Sequence, residues 1–121
     1  YSAIKLSKKS QLKLLSMFKD DIPRGWTLFA HHMTVAFAEP LPNQEDLERN
    51  IELTVTHVGL SNKAMAVKVT GYPSKNAIPH ITLAVSPDGK PVMSNDITKW
   101  SAIKNIKVNG KGTQYKRRFP V

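Results

Sequence analysis

The chain has 121 residues, with 18 Lys plus Arg against 9 Asp plus Glu, and it contains no Cys. That length suits one domain, because soluble domains usually hold about 100 to 200 residues. The lack of cysteine excludes disulfides, thiol nucleophiles and Cys-ligated metals, and no uncharged apolar stretch reaches the roughly 20 residues that cross a bilayer. We expect a single domain over residues 1–121, and its opening at Tyr1 inside an alternating pattern indicates a piece of a longer polypeptide.

Periodicity, caps and turn residues predict a mixture of helices and strands. In the first half of the chain we expect a strand over residues 1–6, a helix capped by Ser7 or Ser10 and running to about Lys19, a strand at the end of the apolar run 26–37, and a short helix from Asn43 through Asn50. In the second half we expect strands over 51–58, 65–69 and 80–86, and a helical turn capped by Ser94 or Asn95 and running to Trp100. Strands over 103–108 and 113–116 complete the prediction.

Turn residues indicate how some of these strands are joined. A turn at residues 61–63 predicts that the two strands beside it form an antiparallel pair. Residues 109–112, with the sequence Asn-Gly-Lys-Gly, predict a second hairpin near the end of the chain. The mixed pattern as a whole predicts an α+β fold.

The positive charge is concentrated in the second half of the chain. Residues 1–52 carry seven basic and seven acidic side chains, whereas residues 53–121 carry eleven basic side chains against only Asp88 and Asp96. A basic face attracts phosphate-rich partners through a salt-sensitive and largely sequence-independent attraction. Solvated lysines on an ordinary small domain are the alternative interpretation, and composition alone leaves both open.

The motif His-x-Thr occurs twice, each time on an expected strand. His32 and Thr34 lie in HHMTVAF, and His80 and Thr82 lie in PHITLAVS. Residues two apart in a strand point to the same face, so each strand offers an imidazole beside a hydroxyl. One such motif is more often structural, because strands are rich in Thr, but its duplication among only four histidines favours a function. If the two strands pack side by side, four polar groups converge on one cleft.

Two histidines in one cleft suit the opening of a strained phosphodiester. One imidazole can take a proton from the attacking water while the other gives a proton to the departing oxygen, because an unperturbed His pKa of about 6.5 permits both roles at neutral pH. The Thr hydroxyls can donate to the non-bridging oxygens as negative charge builds there. This scheme needs no metal and no cofactor, and it leaves open which histidine is the acid and which is the base.

HHMTVAF and PHITLAVS resemble the paired His-x-Thr signatures of the 2H phosphoesterase superfamily, which includes RNA 2′,3′-cyclic phosphodiesterases, LigT-like RNA-end enzymes and the phosphodiesterase domain of tRNA ligases. The resemblance implies a bilobal fold, with two antiparallel-sheet lobes and flanking helices around a central groove. It also implies that His32, Thr34, His80 and Thr82 are the catalytic residues. The interval of 48 residues between the two histidines is short for this family and implies fewer loops over the groove.

From the resemblance we expect a hydrolase, a metal-independent cyclic phosphodiesterase that opens a 2′,3′-cyclic phosphate at RNA ends or on nucleotides during RNA processing or repair. The alternatives are a noncatalytic RNA- or phosphate-binding module, or a 2H enzyme acting on 2′,5′-linked oligonucleotides or a cyclised sugar phosphate. The expected partner is an RNA terminus or a cyclic nucleotide, with no membrane partner. We also expect a monomer, an intracellular location in the cytoplasm or nucleus, and ligase or kinase domains upstream in the full chain.

Further residues are candidates for substrate binding. Tyr72 and Lys75, in the loop before the second motif, are placed to stack on a base or to meet a phosphate, although simple exposure of a turn loop is the competing interpretation. Trp26 or Phe29 could be a base platform, but packing is favoured because aromatic side chains dominate protein cores. The basic cluster at residues 116–118 could track an RNA backbone or be solvated.

The two remaining histidines have weaker claims. His31 is out of phase with its neighbour in the motif, so we expect it to pack or to meet solvent rather than join the site unless the backbone is irregular. His57 falls on the apolar phase of its strand, which is typical of a satisfied core residue.

Overall fold

The structure is a computed structural model that describes residues 1–114. This part of the chain contains seven strands, one α-helix and two short 3-10 helices. In chain order these are β1 (Ser2–Leu6), α1 (Lys8–Phe18), β2 (Thr27–Leu28), β3 (His32–Ala36), a first 3-10 helix (Gln44–Asp46), β4 (Asn50–Leu60), β5 (Ala64–Thr70), β6 (His80–Val85), a second 3-10 helix (Pro91–Asp96) and β7 (Trp100–Gln114). Within residues 1–114, none of the helices combines the length and the apolar character needed to cross a membrane.

The strands form one antiparallel sheet that closes on itself. Their order is β2-β6-β3-β1-β7-β4-β5, and β5 also pairs with β6, so six strands complete a closed barrel. The prediction of an α+β bilobal fold with flanking helices is therefore wrong. The segments expected to build two separate lobes pair instead around a single core, because the long strands β4 and β7 join the two halves of the chain along most of their length.

Alternating side chains fill the barrel with a continuous core. Ile4, Met33, Leu53, Ile81 and Val108 come from five different strands, and all five are fully buried in one apolar cluster. Burial of such side chains contributes roughly 1.5 to 3 kcal/mol each. The alternate residues of each strand point away from this core, and many of them are polar. The imidazoles and hydroxyls of both His-x-Thr motifs lie on this outer side.

The helix α1 begins as the sequence predicts. The Ser7 hydroxyl caps it by accepting the backbone N–H of Ser10 at 3.2 Å. Leu14 and Phe18, on one face of the helix, are buried in the same core cluster as the strands. The predicted antiparallel pair is confirmed as well, because β4 and β5 pair through the turn at residues 61–63.

The other two predicted helices are wrong in extent. The segment after Asn43 makes only the 3-10 turn Gln44–Asp46, and Glu48 then adopts a φ of 63°, which an α-helix cannot accommodate. The helical turn expected to end at Trp100 lies earlier, at Pro91–Asp96, and Trp100 instead opens β7. Pro at the start of this turn supplies a φ that suits the first helical residue.

The predicted hairpin at residues 109–112 is also wrong. Strand β7 runs without interruption through these residues and pairs with β1 on one side and β4 on the other. The glycines serve close packing rather than a turn. A Cβ at Gly110 would lie 2.6 Å from the Lys5 carbonyl oxygen, and a Cβ at Gly112 would collide with the Asp46 carbonyl oxygen. Glycine therefore lets neighbouring backbone approach this strand.

Replacing Gly112 with alanine is expected to lower the free energy of unfolding by about 1 to 3 kcal/mol, the usual range for forced overpacking. The neighbouring exposed residue Lys111 provides the matched control, because Lys111→Ala adds no atom against backbone. Urea denaturation of both variants measures the difference. If residues 109–112 formed an exposed hairpin turn instead, the two variants would unfold at similar urea concentrations.

Candidate active site

The two His-x-Thr motifs lie on adjacent antiparallel strands. Met33 of β3 pairs directly with Ile81 of β6, and both side chains are fully buried in the barrel. Because side chains alternate across a strand, the residues that flank each of these positions point to the opposite, outer face. His32 and Thr34 thus share one face of the sheet with His80 and Thr82.

One pair of residues brings the two motifs together. Met33 and Ile81 lie directly opposite each other, so His32 and Thr34 flank one member of the pair and His80 and Thr82 flank the other. The charge of His80 contributes to lowering the pKa of His32, which places the two imidazoles near each other. All four residues line one pocket on the outer face of the barrel.

A backbone irregularity brings a third histidine to this pocket. Leu28 pairs with Ala84, and Met33 pairs with Ile81. Residues 29–32 therefore lie opposite only residues 82 and 83 of β6. The extra residues form a bulge that begins at Ala30, whose φ is 55°. Bulges re-aim side chains next to functional sites. His31 is exposed, as expected, yet it also lines the pocket.

A backbone carbonyl fixes the tautomer of His80. Its Nδ1 lies 2.8 Å from the Ile78 carbonyl oxygen, and since a carbonyl can only accept, Nδ1 carries the proton. The neutral ring therefore presents an unprotonated Nε2. Burial lowers the pKa of His80, although the bond to the carbonyl opposes this shift, and only 8% of the residue is exposed. At neutral pH His80 is therefore ready to accept a proton.

His32 is held in a more strongly perturbed environment. Its pKa is lowered to about 4, chiefly by burial and in smaller part by the nearby charges of His31 and His80. Its Nε2 lies 2.5 Å from the Tyr1 hydroxyl, and the Tyr1 ring meets the imidazole edge-on at a centroid distance of 5.8 Å. Tyr1 was not expected near the site, because only the pairing of β1 with β3 brings it there.

The two threonines differ in their hydrogen bonding. The Thr34 hydroxyl has no hydrogen-bond partner within residues 1–114, so it is available to an incoming oxygen. The Thr82 hydroxyl lies 2.8 Å from the Ser94 hydroxyl and 3.3 Å from the Pro91 carbonyl oxygen, which accepts from it. Ser94 is buried in the second 3-10 helix, so this contact holds that helix against the pocket. Sequence reasoning treated Ser94 only as a cap and had no signal for this contact.

Apolar and amide side chains complete the pocket. Phe29, Phe37 and Val92 supply apolar surface, and Asn76 and Asn95 supply amide groups. Apolar walls with a few converging polar groups are typical of ligand sites. Phe29 packs against a small core cluster and also lines the pocket, while its role as a base platform stays a prediction.

The family profile described as "Fungal tRNA ligase phosphodiesterase domain" matches residues 14–117, a span that includes both His-x-Thr motifs. The chain belongs to this family. It is a family of 2H phosphoesterases, so the resemblance found in the sequence is confirmed, and membership supports a cyclic phosphodiesterase enzyme in tRNA ligation. No curated protein sequence matches the chain.

The three predicted substrate-binding residues lie outside the pocket of this phosphodiesterase domain. The Tyr72 hydroxyl donates to Asp46 at 2.7 Å, and partial burial together with that carboxylate raises the pKa of Tyr72 to about 12. Lys75 lies 3.7 Å from Glu39 in a neighbouring groove, and Trp26 packs against the main core. Their roles in binding stay predictions.

Two other features of the phosphodiesterase domain bear on earlier expectations. His57 is half-buried at a bulge in β4, with Nδ1 2.9 Å from the Thr56 hydroxyl, and it lies away from the pocket. The basic cluster at residues 116–118 lies outside the described residues. Within residues 1–114, no group of three His, Asp or Glu side chains comes together in a way that could hold a metal ion.

Proposed function

We propose that the domain hydrolyses 2′,3′-cyclic phosphates, at RNA ends or on nucleotides, by paired acid and base catalysis from His32 and His80 without a metal. The observation that supports the proposal is that both His-x-Thr motifs line one pocket beside the paired residues Met33 of β3 and Ile81 of β6. Family membership supports the reaction class. The basic second half of the chain favours a nucleic-acid substrate.

In the proposed reaction, water attacks phosphorus while the bond from phosphorus to one ribose oxygen breaks. His80 is suited to be the base, because its unprotonated Nε2 can take the proton of the attacking water. His32 then gives a proton to the departing ribose oxygen, and the product is a phosphomonoester. Net proton balance is restored when the two imidazoles exchange a proton with solvent.

The lowered pKa values of the empty site mean that the acid must gain its proton when the substrate binds. Burial keeps both imidazoles neutral at pH 7 when no anion is present. A bound phosphate places a negative charge beside them, and an adjacent opposite charge favours the protonated form. The substrate thereby helps to charge the imidazole that must act as the acid.

The threonines and the pocket wall have supporting roles in the proposal. The Thr34 hydroxyl can donate to a non-bridging oxygen without giving up a protein partner. Charge that builds on that oxygen is stabilised most effectively by donors already in place. The apolar side chains of Phe29 and Phe37 reduce the access of bulk water, which strengthens these interactions.

The test is to incubate the domain, with EDTA present, with nucleoside 2′,3′-cyclic monophosphates and with a short RNA that ends in a cyclic phosphate. We expect conversion to phosphomonoesters, measured by chromatography. Binding without turnover would support a noncatalytic RNA- or phosphate-binding module instead. Turnover of 2′,5′-linked oligonucleotides alone would point to the other 2H activity, and activity abolished by EDTA would contradict metal independence.

A further inference from the structure

A second groove lies beside the pocket on the outer face of the barrel. It is lined by residues of β1 and β7, by the cap of α1 and by the start of β4 with the segment before it, including Lys5, Lys111, Ser7 and Asn50. The side chains available there are ammonium, hydroxyl and amide groups. No aromatic side chain is among the residues that line it.

The strand registers connect this groove to the catalytic face. Lys5 of β1 pairs with His32 of β3, and Lys111 of β7 pairs with Lys5. Residues paired across neighbouring strands project from the same face of a sheet. His32, Lys5 and Lys111 therefore form a row across three strands, each step being about 4.8 Å. The groove begins one strand away from a proposed catalytic imidazole.

The charges of this groove are available for a partner. Neither Lys5 nor Lys111 forms a salt bridge within residues 1–114, whereas Lys63, Lys75 and Lys107 do. Both groove lysines are exposed. The groove also contains one carboxylate, from the exposed residue Glu48, so its lining carries a net charge of +1 from two lysines and one glutamate.

We infer that this groove binds the phosphodiester backbone of the RNA strand that leads into the cyclic phosphate. The inference rests on the proposed function, because the strand must leave the pocket over a neighbouring surface. Lysines can neutralise backbone phosphates, while the hydroxyl and amide groups can bond to phosphate and ribose oxygens. Without an aromatic platform for bases, the groove recognises the backbone and is indifferent to sequence.

The test compares wild type with the double variant Lys5→Gln/Lys111→Gln. The two substrates are a 2′,3′-cyclic mononucleotide and an RNA of about eight nucleotides that ends in a cyclic phosphate. Single-strand binding folds cover about 4 to 16 nucleotides, so this RNA is long enough to extend from the pocket into the groove. We expect the ratio of kcat/KM for the RNA to that for the mononucleotide to fall about tenfold. The slope of log kcat/KM for the RNA against log salt should become shallower by about 1.4, since two phosphate contacts are lost.

Two further variants separate local contacts from total charge. Lys19→Gln/Lys104→Gln removes the same amount of positive charge from residues that line neither the pocket nor the groove. Lys104 lies seven residues from Lys111 on β7, which corresponds to about 23 Å along the strand. It should leave the ratio close to that of wild type. Glu48→Gln removes the opposing carboxylate and should raise the ratio. The inference would be overturned if this ratio of kcat/KM values fell equally in the two double lysine variants, or if it fell in neither.

A binding measurement keeps this outcome distinct from failure of the proposed function. If wild type hydrolyses neither substrate, the proposed function fails. Binding of RNA to the groove is then measured by fluorescence anisotropy, with an RNA that ends in a stable 3′-phosphate. Weaker binding by Lys5→Gln/Lys111→Gln than by the control pair still supports the groove as an RNA site, and equal binding refutes it.

Discussion

Replacing either His32 or His80 with alanine is expected to lower kcat for hydrolysis of a 2′,3′-cyclic nucleotide by about 10²- to 10⁴-fold, the usual contribution of one positioned acid or base. In the proposed mechanism each imidazole handles a different proton across the same phosphate. Since the two act as a unit, the double variant should lose little more than the worse single variant. Steady-state kinetics on one substrate at saturating concentration measures all three.

His57→Ala is the matched control for these variants. It also removes a partly buried imidazole from a strand, but one that lies away from the pocket. Its kcat should stay within a few-fold of wild type, and circular dichroism should show the same sheet in every variant. Near-normal turnover in His32→Ala or in His80→Ala would rule out the paired mechanism, even if the family reaction were retained by other groups.

Periodicity predicted which segments carry the His-x-Thr motifs as strands better than it predicted the architecture of the domain. The alternation around Thr34 and Thr82 predicts two strands with imidazole and hydroxyl on one side, and β3 and β6 carry them so. The pairing of β4 with β5 and the cap at Ser7 were also predictable. Each of these features depends on residues close together in the chain, and the spacing of apolar residues and the identity of turn residues predict such local structure.

Features that depend on distant contacts were not predictable in the same way. Alternation shows which side of a strand is buried, but it does not show which strands are neighbours, so closure through β5 and β6 was missed. Gly110 and Gly112 look like turn residues until their backbone neighbours are known. The contacts of Tyr1 with His32 and of Ser94 with Thr82 likewise join segments that only the closed sheet brings together.

The same burial that perturbs His32 should make the folded state sensitive to acid. Its pKa is about 4 in the folded domain against 6.5 in the unfolded chain, so the unfolded chain binds the proton more readily. The stabilisation is complete above pH 6.5 and is lost as the pH falls towards 4. The difference of 2.5 between these values corresponds to roughly 3 kcal/mol of unfolding free energy. Urea denaturation at pH 7 and at pH 4 measures this loss.

His32→Gln isolates this contribution from carboxylates that titrate in the same range. Glutamine keeps a polar group beside the Tyr1 hydroxyl but cannot take up the proton, so its unfolding free energy should fall by about 3 kcal/mol less than that of wild type between the two pH values. His57→Gln should instead follow wild type. His80 is also buried with a lowered pKa, so the variant retains part of the acid sensitivity. Parallel pH curves for wild type and His32→Gln would mean that His32 titrates alike in the folded and unfolded chain, and the pocket would then be too well hydrated to tune its imidazoles.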